Sequence, residues 1–244
     1  MTPDTYHMTN KIIARLKALA DPAIVQKKQE KFGVRAEGAL GVYIGELNKI
    51  AKEIGKNNEV ALALFNSGIY EGKILCSKIY KPQSLKPELM EEWVRHFNNW
   101  EICDSFSMKF FASSPYALQK IYAWTEREPE FEKRAGFVMI AAYGSTHKKA
   151  KNEEMEQFFP LLEREAHDNR TYVKKAVNWA LREIGKRNID LNKKAIEFAQ
   201  DLLKRPEPAA QWIAKDALKE LEKEDLSLRG FPRPPYQRGK KGDQ

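Results

Sequence analysis

Apolar residues in this chain recur at three- and four-residue intervals along most of its length and nowhere in sustained alternation, so its elements are helices rather than strands. Residues 9–19, 39–54, 58–66 and 70–80 carry that spacing. Pro87 opens a segment through Val94 with acidic residues in its first turn, where they meet the positive end of the helix dipole. Ser114–Pro115 starts another, through Leu118, Ile121, Tyr122 and Trp124. Pro129 starts a third, through Phe131, Ala135, Val138 and Ala142, and further patterns follow over 152–166, 170–187, 190–204 and 207–223. No Asn-Gly hairpin signal interrupts them.

The connections are short and carry Gly, Pro or Asn, which makes successive helices antiparallel neighbours. No strict repeat is visible, yet the helices recur as pairs on the roughly 40–47 residue scale of HEAT-like units. The expected fold is therefore all-α: HEAT-like repeats stacked into a curved superhelix with a concave surface. An ordinary helical bundle has the same periodicity and stays open at this point. One domain is expected over 1–228, and the basic, proline-rich stretch 229–244 (RGFPRPPYQRGKKGDQ) is expected to be a disordered tail, either merely solvated or tracking phosphate.

Composition limits function without naming it. The 244 residues carry a net charge of +8, which suits a polyanionic partner and equally suits a solvated surface. No stretch reaches the roughly 20 apolar residues of a membrane helix, and Met1 to Ala20 has no apolar run of the signal-peptide kind, so a cytoplasmic location is expected. Cys76 and Cys103 sit in apolar sequence and read as buried thiols rather than a disulfide framework. His7, His96, His147 and His167 are too scattered for a metal site, and there is no P-loop, so neither metal nor cofactor is expected.

Three segments could carry chemistry. On the helix over 170–187, Val173, Val177, Ala180 and Ile184 form a core face, while Tyr172, Lys175, Trp179, Arg182 and Lys186 share the other side. Cations for phosphate and an aromatic for sugar or base are what a nucleic-acid surface needs; the alternative is that Trp179 packs on another helix. In the segment 99–106, Ile102, Cys103 and Phe106 share a face with Phe110, and Trp100, Asp104 and Ser107 share a second, placing an indole one turn from a carboxylate. Arg134 lies among Phe131, Phe137, Val138 and Ala141 and needs an anion, either a structural carboxylate or a phosphate. Trp100 and Arg134 are 34 positions apart, and Arg134 and Trp179 are 45 apart, intervals near a helical-repeat period that would bring all three to one concave face.

The stretches NNWEICDSF, EKRAGFVMI and VKKAVNWALREIGK, in that order, resemble the active-site segments of the AlkD-type DNA alkylation repair family, and FGVRAEGALGVYIGELNKIAKEIGK resembles its N-terminal region. The resemblance runs from about Phe32 to about Leu221. It implies a HEAT-like superhelix that acts on double-stranded DNA and excises cationic N3- and N7-alkylated purines without a base-flipping pocket; a monomer is expected. Trp100 and Trp179 would flank the deoxyribose of the lesion, Asp104 would stabilise the charge developing on the sugar, and Arg134 would hold a backbone phosphate. Lys175, Arg182, Lys186 and Tyr172 join the expected DNA surface. Two features depart from the pattern: Asn99 stands where some members have a second Trp, and Cys103 immediately precedes Asp104. Relatives that bind branched or damaged DNA without excision supply a second functional class, and a HEAT-like protein scaffold a third.

Overall fold

A computed structural model describes residues 2–233, and every regular element within them is helical. In chain order these are α1 (Pro3–Ala18), α2 (Pro22–Phe32), α3 (Ile44–Ile54), α4 (Asn58–Phe65), α5 (Tyr70–Ile79), α6 (Pro87–Val94), α7 (Trp100–Ser107), α8 (Ala117–Thr125), α9 (Glu130–Thr146), α10 (Asn152–Glu156), α11 (Phe159–Glu165), α12 (Thr171–Gly185), α13 (Ile189–Leu203) and α14 (Pro208–Leu221), with 3-10 turns at Pro82–Ser84 and Phe111–Ser113. Helices start where the sequence supplies caps. The side chains of Asn57, Asn99 and Asn188 accept backbone N–H bonds from the first turns of α4, α7 and α13, and Pro87 and Pro208 sit where no donor is missed.

The helices stack in order. α5 packs on α3 and α4, α7 on α5, α9 on α7, α12 on α9 and α14 on α12, while α8 backs α9, and α13 backs α12 and α14. Each layer touches mainly the next, which is the arrangement of a HEAT-like solenoid. The centre of the stack is α9, buried continuously from Lys133 to Gly144. Gly136 lets α8 cross it closely, since a Cβ there would lie 2.9 Å from the backbone nitrogen of Thr125. The back of α7 is held by aromatics: the Phe106 ring lies 5.5 Å from Trp93 and 5.5 Å from Phe111. With Ile102, Cys103 and Phe106 buried there, the opposite side of α7 faces out.

Four expectations change. The helix expected over 39–54 begins only at Ile44, because the Leu40, Gly41 and Val42 N–H groups donate instead to the buried Glu71 carboxylate, at 3.0, 2.8 and 3.2 Å. The single helix expected over 152–166 is two, broken before Pro160, which has no N–H for the ladder. α2 was not foreseen. It buries no residue, so it lacks the apolar stripe that marks the others, although Asp21 and Pro22 at its start and Gly33 beyond its end are ordinary helix punctuation. Finally, the segment read as a tail starts out packed. The N–H groups of Arg229 and Phe231 donate to Lys186 and Arg187 carbonyls, and Arg229 pairs with Glu183. The remainder, 234–244, lies outside the described residues.

Both cysteines are buried and unpaired, and burial pushes both thiols well above their ordinary range. Among the described residues no helix is long and apolar enough to cross a membrane, and no cluster of side chains could hold a metal ion.

Candidate functional site

The outward side of α7 borders a cleft of about 690 Å³, floored by Trp100, Glu101, Asp104, Ser105 and Met108. These positions form one stripe on a helix of 3.6 residues per turn. Ser107, grouped with Trp100 and Asp104 on the wheel, is instead fully buried. Its partner Cys103 lies beneath, with its thiol 3.4 Å from the Phe131 carbonyl. The opposite wall comes from Ile44 and Asn48 of α3, Ser77 and Lys78 of α5, and Lys56 and Pro82 in the connections.

Asp104 is the reactive-looking group at the floor. Arg134 grips it from α9 with two parallel bonds, Nε to Oδ1 at 2.9 Å and Nη2 to Oδ2 at 2.8 Å. The third guanidinium nitrogen, Nη1, donates to the Tyr172 carbonyl at 2.8 Å, and the guanidinium sits 5.9 Å from the Tyr172 ring. Of the two alternatives for Arg134, the carboxylate partner is the one present, and three of the five guanidinium N–H donors are engaged within the protein. A carboxylate has about four acceptor sites, and a bidentate arginine takes two. Asp104 keeps the others, and its side chain, 15% exposed, reaches the cleft. Burial pushes its carboxyl above the ordinary value, with Arg134 opposing the push; the Asp104 carboxylate in turn holds Arg134 above its own value despite burial.

Trp100 begins α7, and its indole N–H donates to the Phe32 carbonyl at the end of α2, 2.8 Å away. The indole is thereby fixed against the cleft. Lys28 adds a second tie from α2, donating to both Glu101 carboxylate oxygens at 2.8 and 3.0 Å, and Tyr70 donates to Glu101 as well. Gly33, with φ +65, lets the chain leave α2 in a left-handed turn and pass the Tyr172 hydroxyl, which would sit 3.1 Å from a Cβ there. The unforeseen helix thus meets Trp100, Glu101 and Tyr172 together.

Trp100, Asp104, Arg134 and Tyr172 are therefore one connected group. Trp179 is not in it. It lies two turns along α12 from Tyr172, about 10 Å at 1.5 Å per residue, and like Trp100 it is half-buried against the core. Lys175 is exposed on the same helix. Arg182 and Lys186 face α14: Arg182 pairs with Glu220, Lys186 donates to Glu220 at 2.8 Å, and Lys186 also pairs with Glu183 at 2.7 Å. Two of the cations read as a DNA stripe are thus internally balanced.

Sequence inspection missed the cations of the cleft. Lys78 is half-buried, and both burial and the neighbouring charge of Lys109 hold its ammonium below the ordinary value. Lys56 donates to the Lys78 and Tyr80 carbonyls at 2.8 and 3.1 Å, closing the end of α5, and burial lowers it too. Neither Lys78 nor Lys109 is in an ion pair among the described residues. These lysines come from three separate segments, so no helical wheel groups them.

The family model for "DNA alkylation repair enzyme" matches residues 12–224. No curated protein matches the sequence. A solved structure described as a new family of proteins related to the HEAT-like repeat DNA glycosylases with affinity for branched DNA structures shares the fold, with a TM-score of 0.73 at 20% identity over 90% of this chain and 96% of that one.

Proposed function

The chain belongs to the DNA alkylation repair enzyme family, and we propose that it is a DNA glycosylase that hydrolyses the N-glycosidic bond of cationic N3- and N7-alkylated purines in duplex DNA. The observation that carries this reading is the Asp104 carboxylate, held in one orientation by Arg134 and open to a cleft that also presents the Trp100 indole.

The chemistry suits so sparse a site. An alkylated purine already bears positive charge, so the C1′–N bond breaks with its electron pair passing to the ring nitrogen, which becomes neutral. Positive charge is left on the sugar. A fixed carboxylate beside that centre lowers the barrier by favouring charge that exists only as the bond breaks. An indole face adds cation–π attraction. Water then bonds to C1′ and gives up a proton to solvent. No acid is needed for the leaving group. Arg134 does its work through Asp104, as a positioning residue.

Release of methylated purines from alkylated duplex tests the proposal. Wild type releases them, and Asp104→Asn, which keeps shape and loses charge, does not. No release by a wild-type protein that binds the same DNA would sink it.

The second reading is a binder of branched DNA without excision. The observation in its favour is the same ion pair: Arg134 already neutralises Asp104, leaving less charge for a sugar cation. Tighter binding to a junction than to linear duplex at matched salt, together with no purine release, would establish that reading instead.

A further inference from the structure

The carboxylates lining the cleft are both spoken for, Glu101 by Lys28 and Tyr70, and Asp104 by Arg134. No carboxylate pairs with Lys78 or Lys109 among the described residues; Lys56 is tied to the Lys78 and Tyr80 carbonyls, and Lys78 and Lys109 leave uncompensated positive charge in the cleft, which Ser77 and Ser105 also line. The charge of Lys109 acts on the Lys78 ammonium, so the two repel, and an anion between them would relieve that repulsion.

We infer that Lys78 and Lys109 form a phosphate-binding site which takes a DNA backbone phosphate near the sugar at Asp104. This rests on the glycosylase reading for the identity of that sugar. Lys109 lies in the turn that follows α7 and lines the same cleft as Asp104, so a strand that presents its sugar to Asp104 would carry a neighbouring phosphate past the end of α7. Lys78 approaches from α5 and Lys109 from the turn after α7, so the phosphate is gripped from two segments.

The experiment scans an alkylated duplex in which single phosphates are replaced by neutral methylphosphonates, measuring affinity for wild type, Lys109→Gln, Lys109→Arg and Lys78→Gln/Lys109→Gln. Thermal melting shows whether each variant is folded; Lys109 is exposed, so its variants keep the fold. Wild type is expected to lose about tenfold in affinity at one linkage close to the lesion. Lys109→Gln should lose a similar factor on unmodified DNA and show no further loss at that linkage, while Lys109→Arg retains both. The log–log salt slope of the double variant should fall by roughly 0.9 for the lost contact. Folded variants with wild-type affinity and wild-type linkage sensitivity overturn the inference. So does inorganic phosphate or a nucleoside monophosphate occupying the site, seen as lysine-dependent binding, with DNA affinity unaffected by the same substitutions. If the linkage pattern appears but no purine is released, the phosphate site stands and the glycosylase reading falls.

Discussion

Two basic regions of this protein differ in how their charge is balanced. Along α12, Tyr172, Lys175, Trp179, Arg182 and Lys186 make a stripe that is plain on a helical wheel, yet α14 brings Glu220 to Arg182 and Lys186 and draws two of the three cations into the fold. In the cleft beside α7, lysines scattered over the sequence meet with no acid to match them, while the carboxylates there are already paired with Lys28 and Arg134. Cations next to acids staple helices. Cations left unmatched attract a ligand. Counting basic residues on a single helix does not separate the two cases, since the balancing acid arrives from another element.

The sharpest way to break this comparison is at Asp104. Asp104→Asn should reduce purine excision by about a hundredfold or more, the range for losing a charge that stabilises a transition state, with duplex affinity changed less than about threefold. An equal loss of affinity and rate would make Asp104 a binding residue and erase the contrast with the lysines. Arg134→Ala should be the largest stability change, about 3–5 kcal/mol by thermal or urea unfolding, because it strands a buried carboxylate. A loss under 1 kcal/mol would mean that Asp104 swings out to solvent rather than being held.

Acid separates the regions by sign. The Asp104 carboxyl is raised above 3.8, so the folded state takes up its proton more readily than the unfolded chain and this group favours folding as pH falls. Excision, which needs the charge, should be lost as pH falls through that raised value, with a midpoint above 3.8 in a single-turnover pH profile. Glu220 is depressed below 4.5 by Lys186 and Arg182 despite burial, so its contribution is fully present above 4.5 and is lost as pH falls through the folded value. Glu220→Gln should flatten the acid limb of stability without moving the midpoint of the activity profile.

The smallest effect belongs to the paired stripe. Arg182→Ala should cost about 1 kcal/mol of stability, as expected for a partly exposed ion pair, and less than about twofold in DNA affinity. A tenfold loss of affinity with an unchanged melting temperature would return α12 to the DNA surface.

Much of the architecture was legible beforehand because the helical elements that dominate it are local. The core face of α12 was read correctly from Val173, Val177, Ala180 and Ile184, all fully buried, since burying a stripe at 3.6-residue spacing needs no knowledge of the partner. α2 escaped because it buries nothing, and the false start at 39–43 arose because Glu71, thirty residues away, takes the backbone donors a helix would use. Trp100 and Asp104 were found together because one turn of helix joins them. Lys56, Lys78 and Lys109 were invisible because they converge only through the packing of α3, α5 and α7.

The sequence by itself determined that the chain is helical, where most helices begin, which faces are buried, and that an indole and a carboxylate stand side by side on α7. These depend on spacing over a few residues, where chain geometry leaves few choices. Only the tertiary structure decided that Arg134 holds Asp104, that α2 pins Trp100, and which cations are neutralised. Each of those turns on which groups approach within about 4 Å across distant segments, the range over which Coulomb attraction and hydrogen bonds outweigh hydration.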